Sequence, residues 1–199
     1  MFFRRPAKGE TDSSWLVVGL GNPGEKYRAT RHNIGEDTVR AYAGSHSVHL
    51  KRLKSWGEAG KVPGSPIVLA VPSGYMNTSG GPVSALANYF SVPANRVIVV
   101  HDDLDLDAGV VRMKQGGGHG GHNGLRDIDK ALGTQEYVRV RMGIGRPPGR
   151  MDPAAYVLKP FARAEADQVA LQVDSACEAI TMVVSEGLAA AQQRFHAPG

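Results

Sequence analysis

The chain has 199 residues, of which 42% are hydrophobic and 21% charged, a balance typical of a folded domain rather than a disordered chain. No apolar run approaches the roughly 20 residues that a membrane-spanning helix needs, and a single cysteine, Cys177, excludes an intrachain disulfide. The net charge of +4 favours an anionic partner only weakly, because solvated basic surfaces are common. The first residues lack the apolar segment of a secretory signal, so we expect a cytoplasmic protein.

The distribution of apolar residues predicts strands that alternate with helices, after a polar leader at residues 1–14. Short apolar runs predict strands at 15–20, 67–71, 96–100, 110–114 and 138–144, with a weaker one at 53–62. Helices are predicted at 33–43, 81–90, 125–132, 152–158 and 163–186, the last ended by Gly187. This alternation indicates a single α/β domain over 15–195, with a largely parallel sheet and helices on both of its faces.

A glycine-rich turn after the first strand offers a rival interpretation. Residues 19–24, GLGNPG, match the G-x-G-x-x-G pattern of dinucleotide-binding proteins. However, Pro23 removes one of the N–H donors that such a turn uses to hold a pyrophosphate. Asp37, at a plausible distance for binding a ribose, falls in a predicted helix with no second strand before it. We interpret the motif as a tight turn, and a dinucleotide-dependent oxidoreductase stays the less favoured alternative.

Polar side chains follow four of the predicted strands. Because ligands bind beyond the carboxyl ends of strands in α/β sheets, we expect these side chains to converge on one site. They are Asn22, Tyr27, His32 and Asn33 after the first strand, Tyr75, Met76 and Asn77 after the second, His101, Asp102 and Asp103 after the third, and His119, His122 and Asn123 after the fourth.

Histidine with aspartate is suited to hydrolysis. A neutral imidazole takes a proton from water near pH 7, and a carboxylate on its other nitrogen fixes the tautomer. Asparagine amides can donate to a carbonyl oxygen that gains charge. The sequence has no G-x-S-x-G nucleophile elbow, which favours direct attack by water.

A metal site is the main competitor for these residues. His119 and His122 are three residues apart, and acidic residues follow Asp102, but the two histidines lie in a glycine run and not on a helix face. There is no H-E-x-x-H motif and no cysteine pair, so we expect no metal. The loop at 145–151, with two prolines and two glycines, is equally well interpreted as a rigid connector or as the rim of a site.

Five segments, in order, closely resemble bacterial peptidyl-tRNA hydrolases. They are GLGNPGEKYRATRHNIG at 19–35, YMNTSG at 75–80, HDDLDL at 101–106, GGGHGGHNGL at 116–125 and RVRMGIGRP at 139–147. The resemblance extends over roughly residues 15–195, and motifs of this length are far more specific than a lone glycine pattern. The leader before Trp15 is longer than usual, and Ser73-Gly74 departs from the pattern beside the peptide groove.

The resemblance implies a twisted, mixed sheet and a monomer that hydrolyses peptidyl-tRNA without a metal or other cofactor. It also implies a role for each matching position. His32 matches the catalytic base and Asp102 the carboxylate that orients it, whereas Asn22 matches a residue that helps to accept blocked peptidyl groups. The implied peptide and tRNA 3′-end contacts are Tyr27, Tyr75, Asn77 and Asn123, with Met76 lining the cleft, and the implied tRNA-backbone contacts are Arg112, Lys114 and Arg141. A non-catalytic nucleic-acid-binding relative stays the other alternative.

Overall fold

The computed structural model describes residues 14–196, so the leader predicted at 1–14 lies, apart from Ser14, outside the described part of the chain. Seven strands form one sheet in the described part. They are β1 (Trp15–Gly19), β2 (Lys51–Leu53), β3 (Gly57–Lys61), β4 (Ile67–Pro72), β5 (Val97–Asp103), β6 (Val111–Gln115) and β7 (Val138–Gly143). The helices are α1 (Ile34–Ser45), α2 (Gly80–Tyr89), α3 (Asn123–Leu132), α4 (Pro153–Val157), α5 (Ala166–Glu186) and α6 (Leu188–Phe195).

The order across the sheet is β2-β3-β4-β1-β5-β7-β6, with parallel pairing only in the centre. Strands β4, β1, β5 and β7 are mutually parallel, whereas β2, β3 and β6 pair antiparallel with their neighbours. The central strands β4 and β5 are buried along nearly their whole length, as expected for strands covered on both faces. The prediction of an α/β domain with a mixed sheet is therefore confirmed, and its parallel part is the four-stranded core.

Helices cover both faces, as predicted. Helices α1, α5 and α6 pack on one face, and α2 and α3 pack on the other. The weak strand predicted at 53–62 is in fact a hairpin of β2 and β3. The helix predicted at 163–186 begins with a 3₁₀ turn at Arg163–Glu165 and ends at Gly187 as expected, but α6, which follows it, was not predicted. Across the described residues, none of these helices has the length and apolar content to cross a membrane.

The end of α6 covers the outer edge of β6. Gln192 Nε2 donates to the Met113 carbonyl over 3.0 Å, and the Met113 N–H donates to His196 Nε2 over 2.9 Å. The Arg112 guanidinium donates to the Phe195 carbonyl. The two backbone groups that Met113 turns away from the sheet thus have partners, and the edge is closed to further pairing there.

Close packing of α1 against the sheet fixes the start of this helix beside β1 and β5. The Glu36 N–H donates to the Leu20 carbonyl over 3.0 Å. A Cβ added at Gly35 would lie 2.1 Å from the Val100 carbonyl oxygen, and one added at Gly19 would lie 2.4 Å from the Gly35 carbonyl oxygen. Only glycine permits this approach. The 3₁₀ turn Arg31–Asn33, which leads into α1, is held at the carboxyl end of β5 as a result.

Replacing Gly35 with alanine is expected to lower the free energy of unfolding by about 1–3 kcal/mol, because the helix and strand backbones must separate. Gly44→Ala in the same helix is the matched control, since nothing lies within 4 Å of its added Cβ. We expect this control to be neutral or stabilising by ~0.5–1 kcal/mol. Urea unfolding of the two variants measures the difference, and equal midpoints would contradict the close-approach argument.

Candidate active site

A cavity of about 820 Å³ opens where β1, β4 and β5 end, and it gathers ten of the eleven predicted site residues. The exception is Arg112. The ten are Asn22, Tyr27, His32, Tyr75, Met76, Asn77, Asp102, Lys114, Asn123 and Arg141. The cavity wall also includes residues of the glycine loop, of α4 and of the 145–151 loop, so the rim interpretation of that loop is favoured.

Asp102 is the centre of the site, because its buried carboxylate bonds two histidines. The His32 Nδ1 lies 2.9 and 3.0 Å from the two carboxylate oxygens of Asp102. The His122 Nε2 lies 3.0 Å from Oδ1 of the same carboxylate. Only 2% of the Asp102 side chain is exposed, against 13% for His32 and 9% for His122. The two rings lie side by side, with centroids 5.0 Å apart.

The hydrogen bonds assign a proton to each ring. His122 Nδ1 faces the Leu125 N–H at 3.3 Å and must accept, so the His122 Nε2 carries the hydrogen that Asp102 receives. In neutral His32, the hydrogen on Nδ1 is likewise directed at Asp102. The lone pair on His32 Nε2 is therefore free to accept a proton.

The electrostatics favour an ionised Asp102 beside a basic His32. Burial alone would raise the pKa of Asp102, but the electrostatic attraction of the adjacent His32 and His122 rings and their hydrogen bonds hold it well below its usual range. Burial likewise opposes the charged form of His32, but the charge and hydrogen bond of Asp102 raise the His32 pKa above 6.5. The carboxylate is therefore a fixed anion at neutral pH, and the imidazole is the proton acceptor.

His101 lies beneath this pair and stays neutral. Its Nδ1 donates to the Asp102 backbone carbonyl over 2.7 Å, and its ring contacts His122 edge-on at 5.1 Å. Burial first, and then the neighbouring His122, lower the pKa of His101 to about 3. Its Nε2 is buried without a hydrogen-bond partner in the described part of the chain. His101 therefore supports the site by contact and does not take up a further proton at neutral pH.

Asn22 presents an oriented donor to the cavity. Its side-chain oxygen accepts the Met76 N–H over 2.7 Å, which leaves its Nδ2 for another partner. The backbone of Asn22 is fixed by Asn33, whose Oδ1 accepts the Asn22 N–H over 2.8 Å and whose Nδ2 donates to the Asn22 carbonyl over 2.9 Å. Asn33 is thus the residue that holds the turn after β1 in place.

The outer side chains of the cavity are accessible to a ligand. Asn77 and Asn123 are exposed, and Asn123 begins α3, one residue after His122. Tyr75 is 57% exposed and meets Tyr27 edge-on, with ring centroids 6.2 Å apart. Aromatic faces and free amides are suited to a peptide or a nucleotide base.

Basic side chains form another wall. Arg141 and Lys114 line the cavity, and burial together with the charges of Arg141 and Arg139 lowers the pKa of Lys114. Arg141 Nε donates to Asp103 over 2.8 Å, so part of its charge is already compensated. Arg112 is paired with Arg141 in the strand register but lies outside the cavity, with its guanidinium on the Phe195 carbonyl.

The glycine loop at 116–122 reaches the site by a different path from the one the strand-end argument implied. β6 is antiparallel to β7, so its carboxyl end lies beside the amino end of β7 and not at the carboxyl ends of the parallel strands. That part of the argument was wrong. The loop returns along the sheet and is fastened by the buried Arg139, which donates to the Gly118 and Gly117 carbonyls over 2.6 and 2.7 Å. His122, at the end of the loop, bonds Asp102 through its Nε2.

The geometry disfavours two alternative uses of these residues. One ligand atom each of His32, Asp102 and His122 lies within 4.8 Å of the others, as in a metal site. A metal would have to displace the hydrogen that the contact with the Leu125 N–H places on His122 Nε2, which disfavours this use. A dinucleotide would need a helix opening at the third glycine, whereas α1 starts at Ile34, ten residues after Gly24.

The bond of His122 to Asp102 is the main feature of the site that the sequence argument missed. His122 was expected among the polar side chains of the site and weighed as a metal ligand, but its bond to Asp102 was not predicted, because it lies twenty residues from Asp102 on a loop without periodicity. Its signal was its position immediately before the first residue of α3, where a side chain that accepts hydrogen bonds from the helix is common.

In this α/β domain, a buried aspartate orients a basic histidine. That arrangement is typical of a hydrolase in which the histidine activates water. The family model described as peptidyl-tRNA hydrolase matches residues 16–199. The peptidyl-tRNA hydrolase of Mycobacteroides abscessus is 52% identical over 192 residues, covering 95% of this chain and 98% of the relative. That of Pseudarthrobacter chlorophenolicus is 49% identical over 187 residues, covering 92% and 95%. The crystal structure of peptidyl-tRNA hydrolase from Acinetobacter baumannii matches with a TM-score of 0.86 at 34% identity, covering 94% of this chain and 96% of that one. The chain belongs to the peptidyl-tRNA hydrolase family.

Replacing Asp102 with asparagine is expected to lower the pKa of the His32 imidazole to 6.5 or below, because burial persists while the attraction of the carboxylate is lost. An NMR titration of the His32 ring measures the shift. Asp103→Asn is the matched control, since the Asp103 carboxylate bonds Arg141 and makes no hydrogen bond to His32. A His32 pKa that falls equally in both variants would contradict the pairing.

Proposed function

We propose that this protein hydrolyses the ester bond between a peptide, or an N-blocked aminoacyl group, and the 3′ end of tRNA, and so recycles prematurely released peptidyl-tRNA. The observation that carries the proposal is the bonding of His32 Nδ1 to the buried Asp102, which leaves Nε2 as the free base in the cavity. Membership of the family supports the substrate class.

In this mechanism, His32 Nε2 takes a proton from a water molecule while the water oxygen bonds to the ester carbonyl carbon. The imidazolium that forms is stabilised by Asp102, which keeps its negative charge throughout. The tetrahedral intermediate then expels the ribose oxygen of the tRNA, which receives the proton from His32. The amides of Asn22 and Asn123 are the donors proposed for the developing oxyanion.

Selection of blocked substrates follows from the chemistry of the cavity. Asn22 and Asn77 offer amides to the peptide bond or acyl amide of a blocked substrate. A free amino group is a cation, and moving it from water into a fitted cavity has a desolvation cost that a neutral acyl amide does not have. Tyr27, Tyr75 and Met76 supply apolar surface for the peptide or the terminal base.

The basic wall is proposed to bind the tRNA backbone. Lys114 and Arg141 would contact phosphates near the cavity. Arg112, two residues before Lys114 on β6, would extend this surface on release from the Phe195 carbonyl. The enzyme is proposed to act as a cytoplasmic monomer that needs neither a metal nor another cofactor.

The proposal is tested with a purified N-blocked aminoacyl-tRNA and with the same tRNA carrying the unblocked amino acid. The wild-type protein should hydrolyse the blocked form and leave the free form largely intact. His32→Ala should lower kcat by ~10²–10⁴-fold, the usual contribution of a positioned base. His49→Ala is the control, since His49 is exposed and does not line the cavity. Equal hydrolysis of the two tRNAs, or near-normal turnover by His32→Ala, would contradict the proposal.

Replacing Lys114 with glutamine should raise KM for whole tRNA and reduce the salt dependence of binding by ~0.7–1 in the log–log slope, because one phosphate contact is lost. The kcat value should change little. A peptidyl ester of the terminal adenosine, which has no distant phosphates, should be cleaved as by wild type. Lys61→Gln, on strand β3 and away from the cavity, is the control. An equal loss of turnover on the small ester would mean that Lys114 has a structural or catalytic role instead.

A further inference from the structure

The turn that carries His32 is bonded to the segment that follows α4. The Arg31 N–H donates to the Lys159 carbonyl over 3.1 Å, and the Phe161 N–H donates to the Ala29 carbonyl over 3.2 Å. Thr30 and Pro160 form a β-bridge between the same two segments. Residues 29–31 therefore lie along residues 159–161, immediately before the proposed base.

The side chain of Arg31 strengthens this link at a buried position. Its Nη1 donates to the Lys159 and Pro160 carbonyls over 3.2 and 2.9 Å. Its Nη2 reaches the two carboxylate oxygens of Glu165 over 3.2 and 2.9 Å. The guanidinium also lies against two rings, 4.4 Å from the centroid of Tyr156 and 5.1 Å from that of Phe161.

This arrangement also fixes one wall of the cavity. Pro153, Ala154, Val157 and Leu158, on and just after α4, face the cavity. Helix α4 is anchored on its other side by Tyr156, whose hydroxyl donates to the Ile144 carbonyl over 2.8 Å. The ring of Tyr156 packs on Arg31, so the contacts of this one cation join the His32 turn, α4 and the segment after it.

Stability alone is a weak explanation for such a cation. A buried ion pair is often no more stabilising than apolar side chains of the same volume. Two aromatic rings already surround this position, and Arg31 Nε is buried without a partner among residues 14–196. What an apolar side chain cannot supply is directed bonding to two carbonyls and a carboxylate at once, which the planar fork of arginine provides.

We propose that Arg31 is a positioning residue that sets the place of the His32 imidazole relative to Asp102 and to the α4 wall. It acts through the backbone of its neighbour and does not touch the substrate. The inference rests on the proposed function for the role of His32 as the base, whereas the effect on the His32–Asp102 contact is independent of any reaction.

The test compares Arg31→Lys with Arg28→Lys, an equivalent change three residues earlier, where the arginine is exposed and pairs with Glu25. Lysine keeps the charge at position 31 but cannot bond both carbonyls and the carboxylate in one plane. In Arg31→Lys the His32 contact with Asp102 should loosen, so an NMR titration should show a lower His32 pKa than in wild type. With blocked aminoacyl-tRNA, kcat should fall by ~10–100-fold, as expected for a misplaced catalytic group, while KM changes by less than about 3-fold.

Glu165→Gln is the second variant, because it keeps Arg31 and the shape of its partner while weakening the bond between them. It should shift the His32 pKa and kcat in the same direction by a smaller amount. A lower Tm with unchanged His32 pKa and unchanged kcat per folded molecule, in either variant, would reduce Arg31 to a structural role and overturn the proposal. Full activity of His32→Ala would instead refute the base mechanism, and the His32 titration would still decide the role of Arg31.

Discussion

The site depends on one buried carboxylate that accepts hydrogen bonds from two histidines. His32 and His122 come from different segments, and each directs a ring hydrogen at Asp102. A buried anion without such partners would be strongly unfavourable, so the turn after β1 and the end of the glycine loop must both be in place for the strand end to be stable. The charge that orders the site is also the one that raises the basicity of His32.

Two buried arginines fasten the irregular segments beside this centre. Arg139 donates to the Gly117 and Gly118 carbonyls, and Arg31 donates to the Lys159 and Pro160 carbonyls. Loops cannot satisfy their carbonyls through regular pairing, so a guanidinium with several donors fixes them where no helix or strand does. For this reason, the functional side chains that loops contribute to the cavity are held in place as side chains on strands are.

Local patterns in the sequence were sufficient to predict much of the fold and the place of most of the site residues. Helix periodicity predicted α5, and short apolar runs predicted the central strands, because those signals depend on neighbours in the chain. The direction of β6 could not be predicted in this way, since its antiparallel pairing with β7 joins residues about 23 to 31 positions apart. Two bonds between distant segments were not predicted for the same reason. They join His122 to Asp102 and Arg112 to the Phe195 carbonyl.

The cover that α6 places over β6 has a consequence for the handling of the protein. Gln192 and His196 occupy the carbonyl and N–H that Met113 would otherwise offer to a strand from another molecule. A chain shortened before Gln192 would leave these two backbone groups of β6 open to pairing with a strand of another molecule. The turn at residues 192–196 therefore protects this edge of the sheet from pairing with a strand of another molecule.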